Sequence, residues 1–206
     1  MWNGCWQNEL QLRLENLQGD NQQARIALIG VGNEMRGDDA VGVFLAREMQ
    51  VYASCNPGFL SIECGLVPEN CTGILRRFAP NLVIMIDAAQ MDEAPGRIRW
   101  LDWQTTGGGI LTHTLPLWTC AGFLAVELNC EVALIGIQPQ NTSFGASLSP
   151  EVQEAIDEVA SVLVSLLTFE NQTCPPTHPD IQSNVVAAND LRRELYMWPH
   201  CSGKES

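Results

Sequence analysis

Residues 26–31, 82–86 and 132–137 are unbroken apolar runs rich in β-branched side chains. Runs of this length predict strands buried on both faces, as in a parallel sheet. Residues 59–63 form a shorter run of the same kind, whereas 97–101 alternate polar and apolar and predict a half-exposed strand. Between these runs the apolar spacing lengthens, which predicts helices over residues 41–51 and 72–78. Pro116 opens a further apolar helix that reaches residue 128. The clearest helix follows Ser149-Pro150, an N-cap with proline at the first helical position. In it Val152, Ile156, Val159, Leu163 and Leu166 fall on one face at three- and four-residue spacing. Strands alternating with helices in this order predict an α/β sandwich.

The ends of the chain read differently. Residues 1–23 are rich in Gln and Asn, with a short helix expected around 8–17, and form an N-terminal extension. Residues 24–169 make the α/β domain, and residues 170–206 a polar, proline-containing tail with a short helix expected over 189–196. Hydrophobic content of 46% with 17% charged residues fits a globular protein. A formal charge of −13 repels phosphate backbones and anionic lipid, so neither nucleic acid nor a membrane is an expected partner. No secretory leader is evident, and no apolar run approaches the roughly 20 residues of a membrane span. The expectation is a soluble, cytoplasmic protein. Its eight cysteines include no C-x-x-C pair and are expected to be free thiols in a reducing compartment.

Candidate chemistry collects at the carboxyl ends of the strands, where open α/β sheets gather ligands. The first strand empties into Gly30-Val31-Gly32, and the helix that follows opens with Asp38 and Asp39. Asp87 ends the central strand, and His113 lies in a loop after the Gly107-Gly108-Gly109 segment. Two carboxylates and an imidazole suit a borderline divalent ion such as Ni²⁺ or Zn²⁺, or could activate a water for hydrolysis. Each residue also has a plainer reading: acids at a helix start complement its dipole, Asp87 forms a turn, and His113, His178 and His200 are solvated. A dinucleotide site is a second possibility, with Glu63 as the ribose acid. Met35 stands where that fingerprint needs its third glycine, and Asp38-Asp39 would repel a phosphate. A non-catalytic scaffold, with the acids serving only as caps, is the third.

Five segments occur together in order: residues 30–42 (GVGNEMRGDDAVG), 68–70 (PEN), 86–89 (IDAA), 112–117 (THTLPL) and 135–139 (IGIQP). In these the chain resembles the hydrogenase maturation proteases, nearest the branch that serves formate-hydrogenlyase-type enzymes. The resemblance spans about residues 24–167. It implies a three-layer α/β/α sandwich around a mostly parallel twisted sheet. It also implies an endopeptidase that trims the C-terminal extension of a [NiFe] hydrogenase large-subunit precursor, just beyond a last Cys-x-x-His or Cys-x-x-Arg motif. Nickel would arrive with that substrate, with no tightly bound organic cofactor, and a monomer is expected. Carried over, the metal-contacting residues are Asp39, Asp87 and His113. Asp39 and Asp87 are also the catalytic acids, either through the nickel or as a dyad sharing one proton. Asn33, Gly37 and Asp38 frame the first loop and are expected to touch substrate. The terminal extensions have no counterpart in the compact family core.

Overall fold

The computed structural model describes residues 5–17, 24–102 and 117–167. A five-stranded sheet forms the middle layer, in the order β2-β1-β3-β5-β4. Its strands are β1 (Ile26–Val31), β2 (Phe59–Gly65), β3 (Leu82–Ala88), β4 (Ile98–Leu101) and β5 (Glu131–Ile137). β2, β1, β3 and β5 run parallel, and β4 closes one edge antiparallel to β5. All seven positions of β3 are buried, which is why its sequence is apolar without alternation up to Asp87.

Helices cover both faces. On one side lie α1 (Trp6–Leu17), α2 (Val41–Cys55) and α5 (Pro150–Leu167), packed on Ile26, Leu28, Ile84 and Ile86. On the other lie α3 (Thr72–Phe78) and α4 (Leu117–Leu128), packed on Ile29, Val83 and Met85. The period of two along β1 and β3 therefore divides their side chains between two cores. This is the expected α/β/α sandwich.

Besides α2, which runs four residues past the expected 51, local structure differs from the sequence expectation in three places. β2 runs two residues past Glu63, because a register shift at the end of β1 keeps Val31 paired with Gly65. The helix expected around 8–17 starts two residues earlier, and Trp6, Leu10 and Leu14 of α1 are buried in the same core as α2 and α5. Arg13 also bridges to Glu131 at 2.8 Å. The expected tail, residues 170–206, lies outside the described residues.

The third difference corrects the thiol expectation, since Cys64 and Cys71 form a disulfide. Gly65 takes a left-handed conformation (φ 59°) and turns the chain at the end of β2. The Pro68–Cys71 turn then returns to the strand, with the two Cα atoms 6.1 Å apart. Cys55, Cys120 and Cys130 are free thiols.

Candidate active site

β1 leads through α2 to β2 on one side and onward to β3 on the other, so the sheet changes direction between β1 and β3. Such a switch point leaves a crevice beyond the carboxyl ends of the two strands. Asp39 enters it from the short 3₁₀ turn Gly37–Ala40 after β1, and Asp87 from the end of β3.

Glycines bring these two segments together. A β-carbon on Gly30 would lie 2.0 Å from the carbonyl oxygen of Gly42, and one on Gly32 only 1.8 Å from that of Asp39. Neither can exist, so the turn and the start of α2 rest backbone on backbone against β1. The Asn33 amide completes the seat by donating to the Asp39 carbonyl oxygen at 3.0 Å. The glycines thus approach their own chain. Glu63, the acid a dinucleotide site would need, is held instead by Arg47 (2.5 Å) and Gln50 (3.0 Å).

Asp39 and Asp87 are both buried, at 5% and 3% exposure. Burial pushes the Asp87 carboxyl well above the usual aspartate range, and the nearby charge of Asp39 pushes it further. The opposing influence is the Ala88 amide, which donates to Asp87 Oδ1 at 2.9 Å. Two buried acids in one crevice can share a proton, or can both ionise around a cation.

Asp38 points elsewhere. Its Oδ2 accepts from the amides of Gln140 and Asn141, each at 2.8 Å, and from the Ser149 hydroxyl at 2.7 Å. Its Oδ1 accepts from the Ser149 amide at 2.6 Å. Burial alone would raise this carboxyl, but the bonds from Asn141, Ser149 and Gln140 outweigh it and hold it below the usual value. Asp38 therefore fastens the loop after β5 to the loop after β1. Asn33 and Gly37 serve the same loop: Asn33 Oδ1 accepts from the Met35 amide, and Gly37 is left-handed (φ 53°) beneath the Asn141 carbonyl.

Comparison with known proteins decides what this arrangement belongs to. The family described as HycI: Hydrogenase maturation protease matches residues 43–166, over half of the chain. The chain belongs to the hydrogenase maturation protease family. A Methanocaldococcus jannaschii protein assigned to the same family is 30% identical over 150 residues, covering 69% of this chain and 88% of its own. The hydrogenase 3 maturation protease of Escherichia coli K12 is 31% identical over 134 residues, covering 64% and 84%. The crystal structure of the [NiFe] hydrogenase maturation protease HycI from Thermococcus kodakarensis KOD1 aligns with a TM-score of 0.67 at 30% identity, covering 76% of this chain and 99% of that one.

In this maturation protease the sequence reading missed two positioning residues. Gln138 is buried, and its Oε1 accepts from the amides of Met91 (2.7 Å) and Glu93 (3.4 Å), so it shapes the loop that leaves Asp87. Ser149 was legible as the cap of α5 but not as a partner of Asp38. Their partners lie 47 and 111 residues away, so no local spacing could signal them. His113, His178, His200 and the triple glycine lie outside the described residues. Among the described residues no group of three or more His, Cys, Asp or Glu is arranged to hold a metal ion. Among them, too, no helix is long and apolar enough to cross a membrane.

Proposed function

We propose that this chain is the endopeptidase that removes the C-terminal extension of a [NiFe] hydrogenase large-subunit precursor, acting on the form that already carries nickel. The observation that carries the reading is the burial of two acids, Asp39 and Asp87, in the switch-point crevice, where burial first and repulsion by Asp39 next oppose the charge on Asp87. A cation brought by the substrate relieves that repulsion. A nickel-free precursor brings no such compensation, so the site discriminates between the two forms.

In this reading Asp39 and Asp87 complete the coordination of the substrate's nickel, and His113 is the third donor. One of the carboxylates orients the attacking water and takes its proton, while the ion polarises the scissile carbonyl. The same raised Asp87 carboxyl favours a second reading of the chemistry, in which the acids share one proton as an aspartic dyad. Nickel would then serve recognition alone.

The test is cleavage of purified nickel-loaded and nickel-free precursors, with product termini read by mass spectrometry. Cleavage of the loaded form only is the expected result. Equal cleavage of both forms removes nickel from recognition, and cleavage of neither, with a matched precursor, overturns the proposal. Asp39→Asn should fold and fail to cleave.

A further inference from the structure

A cavity of about 480 Å³ opens between α3 and α4, lined by Glu69, Thr72, Arg76, Thr119, Cys120 and Phe123. None of these residues has a part in the chemistry above. Its location is set by the connections. α3 follows β2 through the Pro68–Cys71 turn, and α4 ends at Leu128, three residues before β5 begins. Both helices therefore start at the carboxyl edge of the sheet, where Asp39 and Asp87 lie. Val83 and Met85 face the α3–α4 layer, and the two-residue period turns Asp87 toward that same layer.

The lining carries one acid, Glu69, and one base, Arg76. Arg76 is spent on Glu127, which it meets at 2.5 and 2.8 Å, tying α3 to α4. Among the described residues no cation pairs with Glu69. The Thr72 hydroxyl donates to the Glu69 carbonyl oxygen at 2.6 Å and fixes the turn that presents the acid. Burial pushes the Cys120 thiol up to about 11, and the Glu69 charge adds to the effect, so the carboxylate is felt inside the cavity. Phe123 supplies an apolar wall, and Leu66 and Val67 add exposed apolar surface just before Glu69. An apolar wall leading to an exposed carboxylate that no described cation pairs fits a side chain with an aliphatic stem and a cationic end.

We propose that this cavity is a subsite for a lysine or arginine of the precursor segment flanking the scissile bond, its stem against Phe123 and its charge against Glu69. The proposal rests on the reading of the chain as a protease. It gives the α3–α4 layer a specificity role that is separate from the acids.

The test is steady-state cleavage of the nickel-loaded precursor by the full chain and by Glu69→Gln and Glu69→Lys. Precursors in which each Lys or Arg near the scissile bond is changed to Glu complete the set. Glu69→Lys should raise KM about tenfold or more, the size of one charge-assisted contact, and leave kcat unchanged. One charge-reversed precursor should be poor for the parent and recover with Glu69→Lys. Glu69→Gln, which keeps the shape, should raise KM in the same direction and serves if the lysine variant does not fold. Parental KM in both variants, or no recovery with any reversed precursor, overturns the subsite while the protease reading stands. Failure of the parent to cleave at all overturns both.

Discussion

A β-carbon on Gly42 would lie 2.2 Å from the carbonyl oxygen of Ile86 and 2.4 Å from that of Val31. The first turn of α2 thus rests on the ends of β1 and β3. Asp39 is three residues before Gly42, and Asp87 directly follows Ile86, so this contact brings the acids into one crevice.

Gly42→Ala should therefore lift α2 from the sheet and part the two acids. Overpacking of this kind costs about 1–3 kcal/mol. Cleavage should fall further than the melting temperature implies. Thermal unfolding and precursor cleavage measured side by side check this. A variant that melts and cleaves like the parent would show that the contact does not seat Asp39.

Asp87→Asn should abolish cleavage and yet raise the melting temperature at pH 7. The native carboxyl holds its proton to higher pH than the unfolded one, because burial and then Asp39 disfavour its charge. Stability therefore declines as pH rises from the unfolded to the folded pKa. Asparagine carries no charge and escapes that decline. Melting curves from pH 4 to 8 should separate with rising pH; parallel curves would count against a strained carboxylate.

Asp38→Asn should be destabilising by about 3–5 kcal/mol, since an amide cannot accept all four bonds from Gln140, Asn141 and Ser149. The sign with pH is opposite to that of Asp87. The native Asp38 pKa lies below its unfolded value, so its contribution is present above the unfolded value and fades as pH falls through the native one. Urea midpoints should drop in acid for the parent and drop less for the variant.

Leu10→Ala should cost about 2–5 kcal/mol, because Leu10 is fully buried against the α2–α5 core. Exposed Leu12, two residues on, is the control and should tolerate alanine. Equal melting temperatures for the two variants would mean that α1 contributes nothing to the fold.

Much of this was readable along the chain. β1 (Ile26–Val31) and α3 (Thr72–Phe78) have the boundaries that the sequence predicts, because apolar period reports local structure directly. The placement of Asp39 and Asp87 at carboxyl ends followed from the order of strands and helices. Cys64 and Cys71 were not readable as a pair, because their approach depends on a left-handed Gly65 and the turn beyond it. Spacing alone does not tell Asp38 from Asp39, adjacent acids at one helix start; only the family resemblance singled out Asp39.

By itself, then, the sequence determined the elements, their order and the sheet edge at which the acids gather, all consequences of short-range periodicity and chain connection. Tertiary structure alone decided that Asp38 turns inward to hold the loop after β5 while Asp39 joins Asp87. That choice depends on Ser149, 111 residues away, and on glycine contacts between α2, β1 and β3. Packing sets such distances, and no pattern within a few residues of either acid encodes them.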